Sequence, residues 1–315
     1  MEYFSRKTVD LLYSKDVPLS AGNPTGYYPV NVGSIVNDGF EITLEGIVIN
    51  TSDVQWNLNM NLSHYRNRII SLDPSVSEEG IKGGNYIYKV GGSLYEAYMR
   101  KFAGVNPENG KAQWYKKVMD KNGEWTGESE VTETFAKASQ YELGSVLPKL
   151  YGGFGTTLKA YGFDFSAQFS FQLGGRYYDG TYQALMHTSS GIGTAWHKDV
   201  LKSWTEANKD SRIPRLDGDT SVGQTAVSNY LISSDYLSIN NITLGYTLPE
   251  RLASTIKLSG VRVYVAGDNL AVKSARKGMD PRYSMGLGSL TSGSGLNSGS
   301  YSAMRTITAG VTLTF

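Results

Sequence analysis

Apolar and polar residues alternate with a period of two in several separate stretches of this chain. In Val54-Gln55-Trp56-Asn57-Leu58-Asn59-Met60-Asn61-Leu62, apolar residues fall on one side and amides on the other. Phe163, Phe165, Ala167, Phe169, Phe171 and Leu173 alternate with Asp164, Ser166, Gln168, Ser170 and Gln172. Phe40, Ile42 and Leu44 alternate with Glu41, Thr43 and Glu45, and Val261, Val263 and Val265 with Arg262 and Tyr264. The last residues repeat the pattern: Ile307, Ala309, Val311, Leu313 and Phe315 against Thr306, Thr308, Gly310, Thr312 and Thr314. Side chains of a strand point alternately to its two faces, so each stretch predicts a strand with one apolar face.

These stretches predict strands near 34–49, 53–66, 148–160, 162–174, 235–247 and 260–271, then a last one ending at Phe315, with a partial strand before Asp10. Within Asp235–Pro249 the phase slips at Asn240-Asn241, which predicts a bulge. Short connections are expected at Asn50–Asp53 and at Tyr161-Gly162, and one short helix in Pro249–Gly260. Residues 67–147, 175–233 and 272–300 are long connections, rich in Gly, Ser, Asn and charge. Followed back from Phe315, all short connections fall at one end of the strands and all long ones at the other. Outer-membrane barrels are built this way, with short periplasmic turns and long extracellular loops. The fold class expected is all-β, an antiparallel transmembrane β-barrel segment. Two alternatives remain open: a self-contained small outer-membrane barrel with a structural or adhesive role, and a soluble carbohydrate-binding β-sandwich.

Composition narrows the functions. With 30 Lys+Arg against 29 Asp+Glu, the net charge of +1 gives no support for nucleic-acid binding. Zero cysteines exclude disulfides and thiolate metal sites. The 36 Gly and 22 Tyr favour turns and β-structure. No apolar run is long enough for a transmembrane helix, although tilted barrel strands need only ~9–11 residues. The opening residues, MEYFSRKTVDLLYSKD, lack the apolar core of a signal peptide. Tyrosines and tryptophan near strand ends (Trp56, Tyr65, Tyr151, Tyr161, Tyr177, Tyr178, Tyr246, Tyr301) suit interfacial girdles.

Candidate chemistry is sparse. His64, His187 and His197 are scattered, and no catalytic or nucleotide-binding motif occurs. Asp120–Glu130 reads as an acidic turn, because its spacing fails the calcium-loop pattern. Gly286–Ser300 reads as a flexible loop, and Gly174–Gln183 as a loop stem with girdle tyrosines. No enzyme activity, metal or cofactor is expected.

Several segments together carry a family resemblance: NVGSIVNDGFEITLEG, VQWNLNMNLSHYRNRIISL, LPKLYGGFGTTLKAYGFDFSAQFSFQLGG, SSDYLSINNITLGYTLP, VRVYVAGDNL, KGMDPR and the terminal strand ending in Phe315. In this order they resemble the late barrel of SusC/RagA-like TonB-linked outer-membrane proteins. The resemblance implies a barrel of about 22 strands with a plugged lumen, of which this chain holds roughly the last eight. Residues 1–315 would then form the C-terminal part of one such barrel, with the plug domain and N-terminal strands absent. It further implies location in the outer membrane of a Gram-negative cell, import of oligosaccharides or peptides, a SusD-like surface lipoprotein as partner, and the TonB complex engaging the missing N-terminal part. The chain alone is expected to be inactive.

The alternation assigns the candidate residues. Asn57, Asn59, Asn61, Asp164, Gln168, Gln172 and Arg262 are expected to face the lumen, where substrate passes. Phe163, Phe165, Phe169, Phe171, Val311 and Leu313 are expected to face lipid. Phe315 is expected to serve as the signal read by the assembly machinery.

Overall fold

In the computed structural model eight strands form one antiparallel sheet in which sequence neighbours pair throughout. The structure describes all residues except 17, 19, 21, 23, 32, 74–79, 187–194, 218–226, 279 and 284–302. The sheet strands are β1 (Glu2–Thr8), β2 (Gly33–Asn50), β3 (Val54–Leu72), β4 (Leu150–Ala160), β5 (Phe163–Leu173), β6 (Tyr236–Thr247), β7 (Gly260–Ser274) and β8 (Thr306–Thr314). All eight expected strands are therefore present. A closed small barrel would require β1 to pair with β8, but these are the two edges of the sheet.

The short connections lie at one end. β4 and β5 meet in a two-residue turn, Tyr161-Gly162, with φ of 52° and 85°. Both central residues at positive φ is the turn whose twist matches that of paired strands. Between β2 and β3, the Thr51 backbone N–H donates to the Val54 carbonyl at 2.8 Å. The helix expected between β6 and β7 is Glu250–Thr255. The bulge is also present: register slips between Ile239 and Asn241 against β7, and between Gln168 and Phe169 where β5 meets the same point of β6.

Register places like residues in rows across strands. One face carries Leu44, Met60, Phe154, Phe169 and Ile239 in one row, and Trp56, Leu158, Phe165, Leu244, Val265 and Ala309 in another. Phe163, Tyr246, Val263 and Val311 form a third row, and Val261 pairs with Leu313 beyond it. Phe171 and Leu237 continue the face toward the other end. Leu44, Phe163, Leu244, Ile307 and Val311 are exposed, so no second sheet covers them as a sandwich would require. The opposite face is polar, with rows such as Asn59, Gly155, Gln168, Asn241 and Asp268.

Along β3 the apolar face runs from Val54 to Leu62, the length of one ~9–11-residue crossing. Just above it the character reverses. Asp38 and Arg66, opposite one another on the formerly apolar face, form an ion pair at 3.0 Å. On the formerly polar face, Ile35 and Ile69 pair and are buried. β2 and β3, at 18 and 19 residues, thus outrun the apolar band.

The long connections are not simple loops, which corrects the sequence reading. A four-stranded sheet (Ile81–Gly83, Tyr86–Tyr88, Glu96–Arg100, Gln140–Ser145) and a three-stranded sheet (Phe102–Val105, Ala112–Met119, Trp125–Thr132) build a cap at the end away from the turns. Its core contains Tyr86, Met99, Trp114, Tyr178, Val200 and Tyr230. Trp114 is fully buried, edge-on to Phe102 and Phe135 at 5.3 and 5.1 Å. Asn67 of β3 clips the cap to the sheet: its Nδ2 donates to Asn37 Oδ1 at 2.6 Å, and its Oδ1 accepts from the Leu94 backbone at 2.8 Å.

Candidate functional site

The polar face is the candidate site, and alternation along the strands positions its side chains. Asn57, Asn59, Asn61, Asp164, Gln168, Gln172 and Arg262 all share it, though not as one cluster. Toward the turn end, Asp164 and Arg262 meet diagonally across β6. Arg262 Nε and Nη2 donate to the two Asp164 carboxylate oxygens at 2.9 and 2.5 Å. The strand between them is at Gly245. A Cβ there would stand 2.5 Å from both Arg262 Nη2 and Asp164 Oδ1, so only glycine leaves room for the pair. The Arg262 guanidinium also lies 4.9 Å over the Tyr264 ring. This pair, with Gln55, Lys159, Ser166 and Thr243, lines a hollow of about 630 Å³.

A second hollow, about 410 Å³, is lined by Glu45, Asn59, Asn61, Gln168 and Ser170 among others. The Gln168 side chain lies over Gly155, filling the space where a Cβ would be. Asn61 Oδ1 accepts from the Gly153 backbone N–H at 2.9 Å. Asn57 is exposed opposite Thr157, between the two groups.

Gln172 departs from the others. It is buried, and its Nε2 donates to Ser234 Oγ at 2.8 Å and to the Ser234 carbonyl at 3.2 Å. It fastens the chain entering β6 under the cap and does not present to open space. The burial of Tyr177 and Tyr178, at 2% and 4% exposed, likewise removes them from any girdle. Both belong to a short strand, Arg176–Tyr178, paired with Leu231–Ser233. Tyr65 and Tyr151 fall on the polar face, while Trp56 and Tyr246 stay with the apolar side, and the turn residue Tyr161 borders the first hollow. His64 Nδ1 lies 2.6 Å from the Lys149 carbonyl, and His197 caps a short helical turn. Asp120 Oδ1 accepts from the backbones of Asn122 and Glu124 in a hairpin turn. His187, Gly286–Ser300 and Tyr301 lie outside the described residues.

Sequence reasoning missed an anchor on this face. Arg282, from KGMDPR, is clamped by Asp280 through Nε and Nη2 at 2.9 and 2.7 Å. Its Nη1 reaches Ser238 Oγ at 2.8 Å and the Oδ1 atoms of Asn240 and Asn269 at 3.4 Å. Asn240 and Asn269 are the residues set free at the bulge, so the bulge aims acceptors at this arginine. The phase slip signalled the bulge but not what it faces.

A sheet of long antiparallel strands, bare and apolar on one side, polar and hollowed on the other, capped at one end and open at both edges, is a segment of a membrane β-barrel wall. The comparisons agree, and they make the relationship specific. The chain resembles the SusC/RagA-like TonB-dependent receptors over its whole length. It is 28% identical over 326 residues to TonB-dependent receptor P26 of Formosa agariphila, covering 100% of this chain and 32% of that protein. It is 27% identical over 295 residues to TonB-dependent receptor SusC of Bacteroides thetaiotaomicron, covering 90% of this chain and 28% of that one. The chain thus spans about a third of the length of the curated relatives it matches. Among solved structures, the RagAB peptide importer in its closed-closed state superposes with a TM-score of 0.77 at 24% identity, over 99% of this chain and 33% of that chain, a likeness of fold. A scan against protein-family models finds no match.

Proposed function

We propose that the chain is the C-terminal barrel wall of a TonB-dependent outer-membrane importer of the SusC/RagA kind. The observation that carries this reading is the two-faced sheet: its apolar rows are exposed across β2 to β8, while its polar face is hollowed. Lipid would cover Phe163, Phe165, Phe169, Phe171, Val311 and Leu313. The lumen would be lined by Asn57, Asn59, Asn61, Asp164, Gln168 and Arg262, with Gln172 sealing the lumen's cap end. The cap would stand outside the cell, and the turns at Thr51 and Tyr161 in the periplasm, where Phe315 would be read during assembly. The plug and the remaining strands belong to the rest of such a receptor, so the chain alone would not transport. A SusD-like surface lipoprotein would meet the cap, and TonB would act through the plug. The substrate would be an oligosaccharide or peptide, handled without covalent chemistry.

Cell fractionation tests the reading. Expressed in a Gram-negative host with an export signal, the protein should partition with the outer membrane. It should also migrate differently on gels before and after heating, as folded barrels do. Recovery as a soluble monomer without detergent would overturn the reading.

A further inference from the structure

The lysines and arginines of the eight strands divide unevenly between the two faces. Arg6, Lys159 and Arg262 lie on the polar face. All the others lie on the apolar face, and all at its cap end: Lys7 on β1, Arg66 and Arg68 on β3, and Lys273 on β7. The strands carry no Lys or Arg at the turn end of that face. Arg66 is matched by Asp38 at 3.0 Å, so the exposed Lys7, Arg68 and Lys273 leave this border positive.

An exposed cation in open water needs no counter-ion, so the level at which these cations stand decides what they meet. Lys7 and Arg68 share one row, on either side of Val36. Lys273 shares the row of Leu62, Gly152, Phe171 and Leu237. Rows in a barrel wall run obliquely to the membrane because the strands tilt by ~40°. From β3 to β7 the row of Leu62 covers ~19 Å, and the tilt turns that into ~12 Å of height. By the same geometry Arg66 and Arg68 stand ~10 and ~15 Å above Leu62 along β3, and Lys7 comes ~6 Å lower than Arg68. The apolar rows set the direction of this slope. They reach Leu62 on β3, but the first apolar residue of β8, Ile307, lies in the row of Leu58. The cations therefore share one level to within ~6 Å, just beyond the apolar band, where headgroups replace hydrocarbon. They follow the border of the band and not a hydrogen-bonded row.

We propose that this border binds the phosphate groups of anionic lipid headgroups in the leaflet on the cap side. Arg68 grips a phosphate with its planar fork, and Lys7 reaches the same headgroup across Val36 as a point charge. Their apolar stems lie along the strand face while the charged ends stay among the headgroups. Lys273 meets a second lipid further round the wall. The inference rests on the reading of this face as lipid-facing, and adds to it a preference for one kind of lipid on one side.

The test is equilibrium lipid binding by the full chain, folded in maltoside micelles and read by native mass spectrometry. Phosphatidic acid should bind about 10-fold or more tighter than phosphatidylcholine, whose choline offsets its phosphate. A basic side chain at an anionic lipid surface is worth about 5-fold in affinity. Lys7→Gln with Arg68→Gln should therefore weaken phosphatidic acid about 25-fold and leave phosphatidylcholine unchanged. Lys7→Arg with Arg68→Lys, which keeps the charge, should retain most of the preference. Arg251→Gln with Lys257→Gln removes the same charge from the connection between β6 and β7 at the turn end, and should leave the preference intact. No preference for phosphatidic acid, a preference that survives the border variant, or an equal loss in the turn-end variant would overturn the proposal. Tighter binding of hexaglutamate than of phosphatidic acid would assign the border to an acidic protein and overturn it too. Heat-dependent gel migration and membrane partition of the same samples read the barrel assignment separately. A folded barrel without lipid preference sinks the lipid site alone, whereas a soluble monomer sinks the importer reading and this inference with it.

Discussion

Phe169 on β5 and Asn59 on β3 have β4 between them and lie on opposite faces of the same sheet, and they set the most direct residue-level contrast. Phe169 stacks on Phe154 at 4.8 Å within the apolar rows, whereas Asn59 faces a hollow. Phe169→Arg should cost ~2–4 kcal/mol of folding stability in a bilayer if its face meets lipid. Asn59→Arg should change stability little. Equal costs in a denaturant titration in lipid vesicles would mean the faces are assigned wrongly. Gly245 makes a second contrast. Gly245→Ala should push Arg262 from Asp164 and cost about 1–3 kcal/mol, the usual price of overpacking. Because both side chains are partly exposed, losing the ion pair itself contributes little of this. Arg262→Ala in the same background should therefore recover most of the loss, and failure to do so would place the crowding elsewhere. The alternation in sequence made both faces legible. It could not show that Gly245 exists to let Arg262 pass, since that contact joins residues 98 apart.

At the scale of elements, the strands, the positive-φ turn, the bulge and the short helix were all readable, because each leaves a local mark: period, phase slip or turn residues. The cap left none. Its strands are mostly three to eight residues long and find partners through non-local pairing, as when Glu96–Arg100 joins Gln140–Ser145. Short runs broken by Gly and Ser carry too little periodicity to be told from loops. For the same reason Tyr177 and Tyr178 looked like girdle residues. The cap has its own core, so it should lose order separately from the sheet. Trp114→Ala should cost about 3–5 kcal/mol locally, detected as new protease cleavage between residues 81 and 147 while heat-dependent gel migration persists. Alkali gives a gentler handle. Burial, with nearby tyrosines, pushes the Tyr86 phenol up from 10.0 to about 12; burial likewise raises Tyr230 to about 12. The neutral phenol is favoured in the folded cap, so this stability is fully present below pH 10 and lost as pH rises toward 12. Tyrosinate absorbance should rise late and together with loss of near-ultraviolet ellipticity. A gradual rise near the ordinary phenol pKa, with the cap still ordered, would refute the burial argument.

For the whole molecule, what matters is that strand order follows chain order without exception. A meander of neighbours builds a wall that can be extended at either side, and β1 shows where. It pairs with β2 only from Ile35 to Glu41, leaving the stretch of β2 below it, toward Asn50, without a partner on that side among the described residues. An open strand edge in water invites pairing with other chains. Refolded alone into detergent, the protein should therefore form concentration-dependent oligomers through β1 and β2, measurable by light scattering. A strictly monomeric species at every concentration would show that the edge is protected. The stepped outline of this edge was not legible in the sequence, because the length of β1 is set by its register on β2.

The count of strands in the main sheet has one more consequence. With eight strands alternating in direction, β1 and β8 point opposite ways. Up-down alternation can then continue around a ring only if an even number of further strands lies between them. The two free edges thus impose a parity rule on any strands that complete the ring: an odd number would force one parallel junction into a wholly antiparallel wall.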